Sequence, residues 1–273
     1  MQLPNINKKR IISLLKEGKR FDSREPFQFR DIHLETGISV NAEGSARVRV
    51  GKTEVIVGIK MDTQEPYPDH DDEGTMIVSM EFPQIAGERY ESGPPQMDSI
   101  EIARVIDRGI RESGFIDWKK LCIKEGEKVW SISIDIYCIN DDGNVLDASG
   151  IAAVAALRMA RFPVYDKKEE KVNYGESTDE ALPLTEHIPF SMTFYKIGDK
   201  FVLDPNRDEE DACEARITMA VSEAKKEKII NSMQKGGIIP ISTEALCDAV
   251  EKSENIYDEI FHNIDKKTKT LMK

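Results

Sequence analysis

The chain has 273 residues, 40% of them hydrophobic and 32% charged, with a formal net charge of −12. Apolar residues recur along nearly its whole length, which excludes a wholly disordered chain, and no apolar run approaches the ~20 residues of a bilayer-spanning helix. The acidic balance argues against a broad cationic grip on nucleic acid, so any anion site must be a local concentration of lysine or arginine. Four cysteines (122, 138, 213, 247) lie far apart without C-x-x-C spacing, and four histidines (33, 70, 187, 262) are equally scattered. Neither set forms a sequence-local metal or redox motif. The start, MQLPNINKKRIISLL, lacks a signal-peptide core, and a soluble intracellular protein is expected.

From the N terminus, INKKRIISLLKEG (6–18) predicts a short amphipathic helix, with Ile11, Ile12, Leu14 and Leu15 on one side and Gly18 as its stop. From about 27 to 83 the pattern turns to strands. ISVNAEGSARVRVGKTEVIVGIKMD alternates or runs β-branched, broken at Gly44 and Gly51, and TMIVSMEF follows the acidic loop PYPDHDDEG. The segment DSIEIARVIDRGIRESG (98–114) predicts a helix capped by Asp98 or Ser99 and ended by Gly114. KVWSISIDIYCIN (128–140) alternates as a half-buried strand. After the turn DDGN, VLDASGIAAVAALRMARF predicts a helix apolar nearly all round, buried close against a sheet.

Residues 165–186 (YDKKEEKVNYGESTDEALPLTE) show no period and predict a solvated connection. Strands resume in IPFSMTFYKIGDKFVLDP, with a hairpin turn at IGDK, and in EARITMAVSE. A long last helix over 242–271 is predicted, with Ser242 as cap and Leu246, Val250, Ser253, Tyr257, Ile260 and Ile264 as its packed stripe. The class is α+β, without a demonstrable internal repeat. The expected divisions are a helical extension (1–20), a first half (21–165), the polar connection (166–186) and a second half (187–273).

Three groups of residues are candidates for chemistry. Arg104, Arg108 and Arg111 are spaced to share one stripe of the 98–114 helix, opposite the apolar side of Ile102, Val105, Ile106, Gly109 and Ile110. Spacing alone fits either a surface ion-paired through Glu101 and Asp107 or a contact with phosphate groups, which suit arginine's donor fork. The acidic run LDPNRDEEDACEA (203–215) fits a solvated loop, or a divalent-ion or general-acid site. The glycine turns ESGPP and DDGNV precede helices, but Val145, Leu146 and Asp147 are wrong for cradling phosphate, so the second turn reads as structural.

In order, GSARVRVGKTEVIVGIK, GPPQMDSIEIARVIDRGIR, VWSISIDIYCINDDGNVLDASGIAAVAAL and DKFVLDPNRDEEDACEARITMAVS resemble the RNase PH family. Within it they are most similar to the non-catalytic ring subunit of the archaeal exosome, from about residue 8 to the final helix. The resemblance implies an RNase PH-like (ribosomal protein S5 domain 2-like) fold of two related βαβα halves. It implies a hexameric ring, a trimer of heterodimers with a catalytic RNase PH-like subunit, carrying RNA-binding cap subunits and degrading single-stranded RNA from the 3′ end in the cytoplasm. Phosphate and Mg²⁺ would serve the partner subunit's site, with no cofactor here.

By the same resemblance, the arginine that active members carry before the helix is Asp98 here. Their hydroxyl-bearing turn is Asn144, Val145, Leu146 and Asp147, a degenerate phosphate site. Their acidic pair falls on Asp204 and Glu210, read as relics or structural groups, and no residue of this chain is assigned a catalytic role. Arg104 and Arg108, with Arg111 ranked lower, become the expected RNA contacts. The rival readings are a self-sufficient phosphorolytic 3′-to-5′ exoribonuclease and a purely structural ring scaffold.

Overall fold

The computed structural model describes the chain except residues 1–4, 167, 225–226 and 272–273. Alternating sequence builds the first sheet. Strands β1 (Ile32–Thr36), β2 (Gly44–Val50), β3 (Thr53–Gln64), β4 (Thr75–Glu81), β5 (Cys122–Lys124) and β6 (Lys128–Asn140) are ordered β1-β2-β3-β6-β4, with β5 paired to β6. All pairs are antiparallel except β4 with β6. One face of the sheet, including Val48, Val57, Ile59, Ile132, Ile134 and Ile136, is wholly buried.

That face is covered by α2 (Met97–Arg111) and α3 (Val145–Met159). The small residues of α3 do what their sequence suggests: everything from Val145 to Leu157 is buried. Close approach depends on Gly44. A Cβ there would meet the Ala156 carbonyl oxygen and stand 2.7 Å from the backbone nitrogen of Ala160.

The second half carries β9 (Phe190–Ile197), β10 (Lys200–Leu203), β11 (Ala215–Ala224) and β12 (Glu227–Gly237) in the order β10-β9-β11-β12, all antiparallel. Helix α3 also touches β9, and α2 touches β11 and β12, so the same two helices serve both sheets and one core cluster runs through both halves. Helix α1 (Asn5–Lys16) packs Ile11 and Leu15 against Tyr195, Ile197 and Val202 in a smaller cluster. The final helix, α5 (Thr243–Leu271), buries Ser253, Tyr257, Ile260 and Ile264 as its stripe predicts, with Leu246 and Val250 partly buried against the core. Among the described residues no helix is long and apolar enough to cross a membrane.

The structure departs from or adds to the expected elements at four places. The solvated connection expected over 165–186 carries secondary structure: β7 (Arg161–Asp166) and β8 (Lys171–Ala181) form a two-stranded ribbon. Most of β8 is exposed, so it has no apolar face to leave a period in the sequence. The acidic run contains a short helix, α4 (Arg207–Ala212), closed by a capping box between Asn206 and Glu209. Strand β12, EKIINSMQKGG, lies outside the expected strands, being an edge strand with little buried surface. Helix α2 begins behind Gln96, whose carbonyl accepts the Ser99 hydroxyl at 2.7 Å, so neither Asp98 nor Ser99 is its N-cap.

Candidate functional site

Helix α2 is bound to its sheet by Ile102, Val105, Ile106 and Ile110, which leaves the 104–108–111 stripe outward. The three arginines differ in what they do. Arg111 donates to Asp107 Oδ1 at 2.6 Å and to the Met76 carbonyl at 3.0 Å, and its guanidinium carbon lies 5.7 Å from the centroid of the Trp118 ring. It is the ion-paired surface residue of the blander reading. Arg104 and Arg108 are exposed, and their side chains have no hydrogen bond or ion pair among the described residues. Glu101, which spacing offers as their shield, is drawn away to Arg216 at 2.8 Å and Gln234 at 3.0 Å. Two unneutralised guanidinium groups one helical turn apart repel each other, and an anion laid between them relieves that repulsion.

At the N-terminal end of α2 a small cleft of about 170 Å³ is lined by Phe82, Tyr90, Asp98, Glu101, Asp141, Leu146, Tyr195, Arg207, Glu210 and Arg216, among others. It brings Asp98, Val145, Leu146 and Glu210 of the sequence-derived set together. Its polar groups are already matched to one another. Arg207 spans Asp141 at 2.8 Å, Glu210 at 3.2 Å and Asp211 at 2.5 Å, while Tyr90 donates to Asp141 at 2.5 Å and Tyr195 to Glu210 at 3.1 Å. Burial raises the Glu210 carboxyl above its usual range, against the opposing pull of Arg207. Four carboxylates (Asp98, Glu101, Asp141 and Glu210) thus surround two arginines that are already committed to three of them. An entering phosphate would find no free cation and would face Asp98 unopposed.

The turn before α3 holds the halves together. Gly143 has φ +86° and lies so close to the second half that a Cβ would stand 2.6 Å from the Pro205 carbonyl oxygen. Asn144, buried at φ 57°, donates to Asp204 at 2.9 Å. Asp147 accepts the Thr193 backbone N–H at 3.1 Å and its hydroxyl at 2.7 Å. Val145 and Leu146 are almost wholly buried. The turn presents no hydroxyl side chain to the cleft.

Asp204 and Glu210 do not share the cleft, which is lined by Glu210 and not by Asp204. The Asp204 carboxylate is fully buried and accepts Arg30 through its backbone N–H, Nε and Nη2 at 2.7, 2.8 and 2.7 Å, Arg24 Nη1 at 2.9 Å and Asn144 at 2.9 Å. Burial alone would raise its pKa, but the Arg30 and Arg24 guanidinium groups hold it below the usual carboxylate range. With its lone pairs taken by cationic donors, Asp204 does not fit a divalent metal ligand, and only Glu210 faces the cleft.

The sequence reading missed several residues that organise this region: Arg20, Arg24 and Arg30 from the segment after α1, and Tyr90, Asp141, Arg207 and Arg216. Two leave a local signal: Arg207, three residues before Glu210 and four before Asp211 in a helix, and Arg24, two residues after Asp22. The others meet partners remote in sequence.

Comparison with known proteins agrees with this architecture. Residues 28–163 match the model of the 3′ exoribonuclease family, domain 1, and residues 187–256 match domain 2 of the same family. The chain is 44% identical over 249 residues to the exosome complex component Rrp42 of Methanosarcina acetivorans, covering 91% of this chain and 90% of that one. With the Rrp42 component of Thermococcus gammatolerans it shares 41% identity over 265 residues, 94% of this chain and 93% of the relative. Among solved structures, a chain of the Archaeoglobus fulgidus exosome with RNA bound to the active site superposes with a TM-score of 0.86 at 37% identity, covering 95% of this chain and 98% of that one. A chain of an archaeal exosome core gives 0.82 at 35% identity, covering 96% and 97% respectively.

Proposed function

The chain belongs to the RNase PH family of 3′ exoribonucleases, and from that premise we propose that it is a non-catalytic ring subunit of an archaeal-type exosome. In this reading it alternates with a catalytic RNase PH-like subunit, helps to shape that partner's phosphorolytic site, and holds single-stranded RNA with Arg104 and Arg108. Cap subunits complete the assembly, which works in the cytoplasm.

The observation that carries the non-catalytic part is the cleft at Asp98. Phosphorolysis needs a bound phosphate dianion aimed at the RNA backbone. Here each arginine beside the cleft is neutralised by carboxylates of the same chain, and the one uncommitted charge, Asp98, has the wrong sign. The fully buried Asp204 is closed to a metal by its arginine donors. Phosphate and Mg²⁺ accordingly serve the partner's site in this reading.

The RNA-binding part rests on Arg104 and Arg108. An acidic protein can hold RNA locally when a few guanidinium groups are left unpaired, while the rest of its surface stays negative and repels nonspecific polyanions.

The test is release of nucleoside diphosphate from a single-stranded RNA with phosphate and Mg²⁺ present, first with the purified chain alone and then after mixing with the catalytic subunit. Silence alone and stimulation in the mixture is the expected result. Robust release by the chain alone, free of contaminating nuclease, would make it a self-sufficient enzyme and overturn the assignment.

A further inference from the structure

A second concentration of cations lies away from α2. Between the C-terminal turn of α1, the β9–β10 hairpin and the first turns of α5 the surface opens into a cleft of about 840 Å³, which shares no lining residue with the one at Asp98. Leu15, Phe27, Phe201 and Ile241 give it an apolar floor, and Lys16, Lys196, Lys200 and Lys252 line it as well.

The charges here are unequally spent. Lys252 pairs with Asp248 and sits 4.6 Å from the centroid of the Phe27 ring. Of the other acids in the lining, Glu17 is engaged by Lys19 at 3.6 Å, leaving Asp199 at the hairpin. Lys16, Lys196 and Lys200 have no ion pair or hydrogen bond from their side chains among the described residues, and Lys196 is half-buried. The N-terminal turn of the 29-residue α5 opens at Ser242 and Ala245, adding its positive dipole end to the same cleft. In a chain of net charge −12, an excess of unpaired ammonium groups above aromatic and aliphatic side chains is unusual in both sign and composition.

We infer that this cleft is a nucleotide subsite. Lys16, Lys196 and Lys200 take the phosphate oxygens of a nucleoside diphosphate, and Phe201, with Leu15 and Ile241, takes the flat face of the base. The volume suits a ligand of that size, and ammonium point charges suit a flexible diphosphate. The same chemistry comes from a free nucleotide or from one nucleotide of an RNA strand.

The experiment is calorimetric titration of ADP into the purified full-length chain, repeated in the presence of a short oligoadenylate. Saturable binding is expected, at least tenfold weaker in the Lys196→Glu/Lys200→Glu variant and several-fold weaker in Lys16→Ala/Lys200→Ala, whose two side chains are exposed and outside the core. Arg104→Ala/Arg108→Ala should bind ADP as the parent does. Competition by oligoadenylate makes RNA the source of the nucleotide, and absence of competition makes it a free nucleotide. The proposal is overturned by absence of saturable ADP binding to the parent chain, by unchanged binding in both lysine variants, or by loss of binding in the α2 arginine variant. None of these outcomes bears on the ring assignment, which is read from diphosphate release by the mixed subunits.

Discussion

Arg20 and Glu209, 189 positions apart, meet as a bidentate pair with both side chains at most 1% exposed, Nε to Oε1 at 3.0 Å and Nη2 to Oε2 at 2.5 Å. Two further donations from Arg20, to the carbonyls of Leu203 and Asp204 at 2.9 Å each, fix the loop that leads into α4. Arg24 and Arg30 grip Asp204 from the same N-terminal segment. The segment after α1 thereby ties the second half to the first through charge buried out of water.

Removing one member of that pair strands the other charge in the interior. Glu209→Ala should lower unfolding free energy by about 3–5 kcal/mol, while a paired apolar replacement of both residues should cost clearly less, because no unpaired charge remains. Urea denaturation of the single and double variants checks this. Equal losses would mean that the pair acts only through packing.

Asp147 offers a pH signature. Burial raises its pKa from 3.8 to about 7, against the lowering effect of hydrogen bonds from Thr193 and Asn144 and with the Asp204 charge nearby adding to the rise. A group that holds its proton more tightly when folded stabilises the fold fully below its unfolded pKa and loses that contribution as pH rises. The stability difference between the parent and Asp147→Asn should therefore shift against the parent as pH climbs from about 4 to about 7, then level off above 7. Thermal melts of both chains across pH 4.5 to 8.5 measure it, and parallel curves would contradict the buried carboxyl's titration.

The α2 arginines should separate by function. In the assembled ring, Arg104→Ala/Arg108→Ala should weaken RNA binding and flatten the log–log salt dependence by roughly 1.4, at about 0.7 per lost phosphate contact for a single strand. Arg111→Ala should leave that slope unchanged, since its donors already serve Asp107 and Met76. Fluorescence anisotropy at several salt concentrations reads both, and an unaltered slope in the double variant would remove direct RNA contact from the account.

Gly44 tests the fit of α3 beneath β2. Gly44→Ala would drive a methyl group to 2.7 Å from Ala160 Cα and N, backbone atoms that cannot rotate away. A loss of about 1–3 kcal/mol in unfolding free energy is expected from such overpacking. A neutral result in urea titrations would show that α3 can shift at that end.

Much of this molecule was legible in one dimension because its signals are local and periodic. The alternation in KVWSISIDIYCIN became β6 over the very range 128–140, the small apolar run after DDGN became the buried α3, and the Leu246-to-Ile264 stripe became the packed side of α5. The arginine spacing on α2 also placed Arg104 and Arg108 outward, since i, i+4 geometry is a property of the helix alone. Strand β12 and the β7–β8 ribbon left little trace because edges and exposed ribbons bury too few side chains to impose a pattern.

What the tertiary structure decided is which charges are free. Spacing put Arg104, Arg108 and Arg111 on one stripe, and the family resemblance made Asp204 and Glu210 a pair. The fold brought Arg216 from β11 to draw off Glu101, leaving Arg104 and Arg108 without an ion pair among the described residues, while Asp107 kept Arg111. It sank Asp204 among Arg24, Arg30 and Asn144 and left Glu210 facing the cleft. Secondary structure follows from near neighbours in the chain, but the state of an ionised side chain follows from whatever stands within a few ångströms of it. In this protein those partners come from as far as 189 residues away, as Arg20 and Glu209 show.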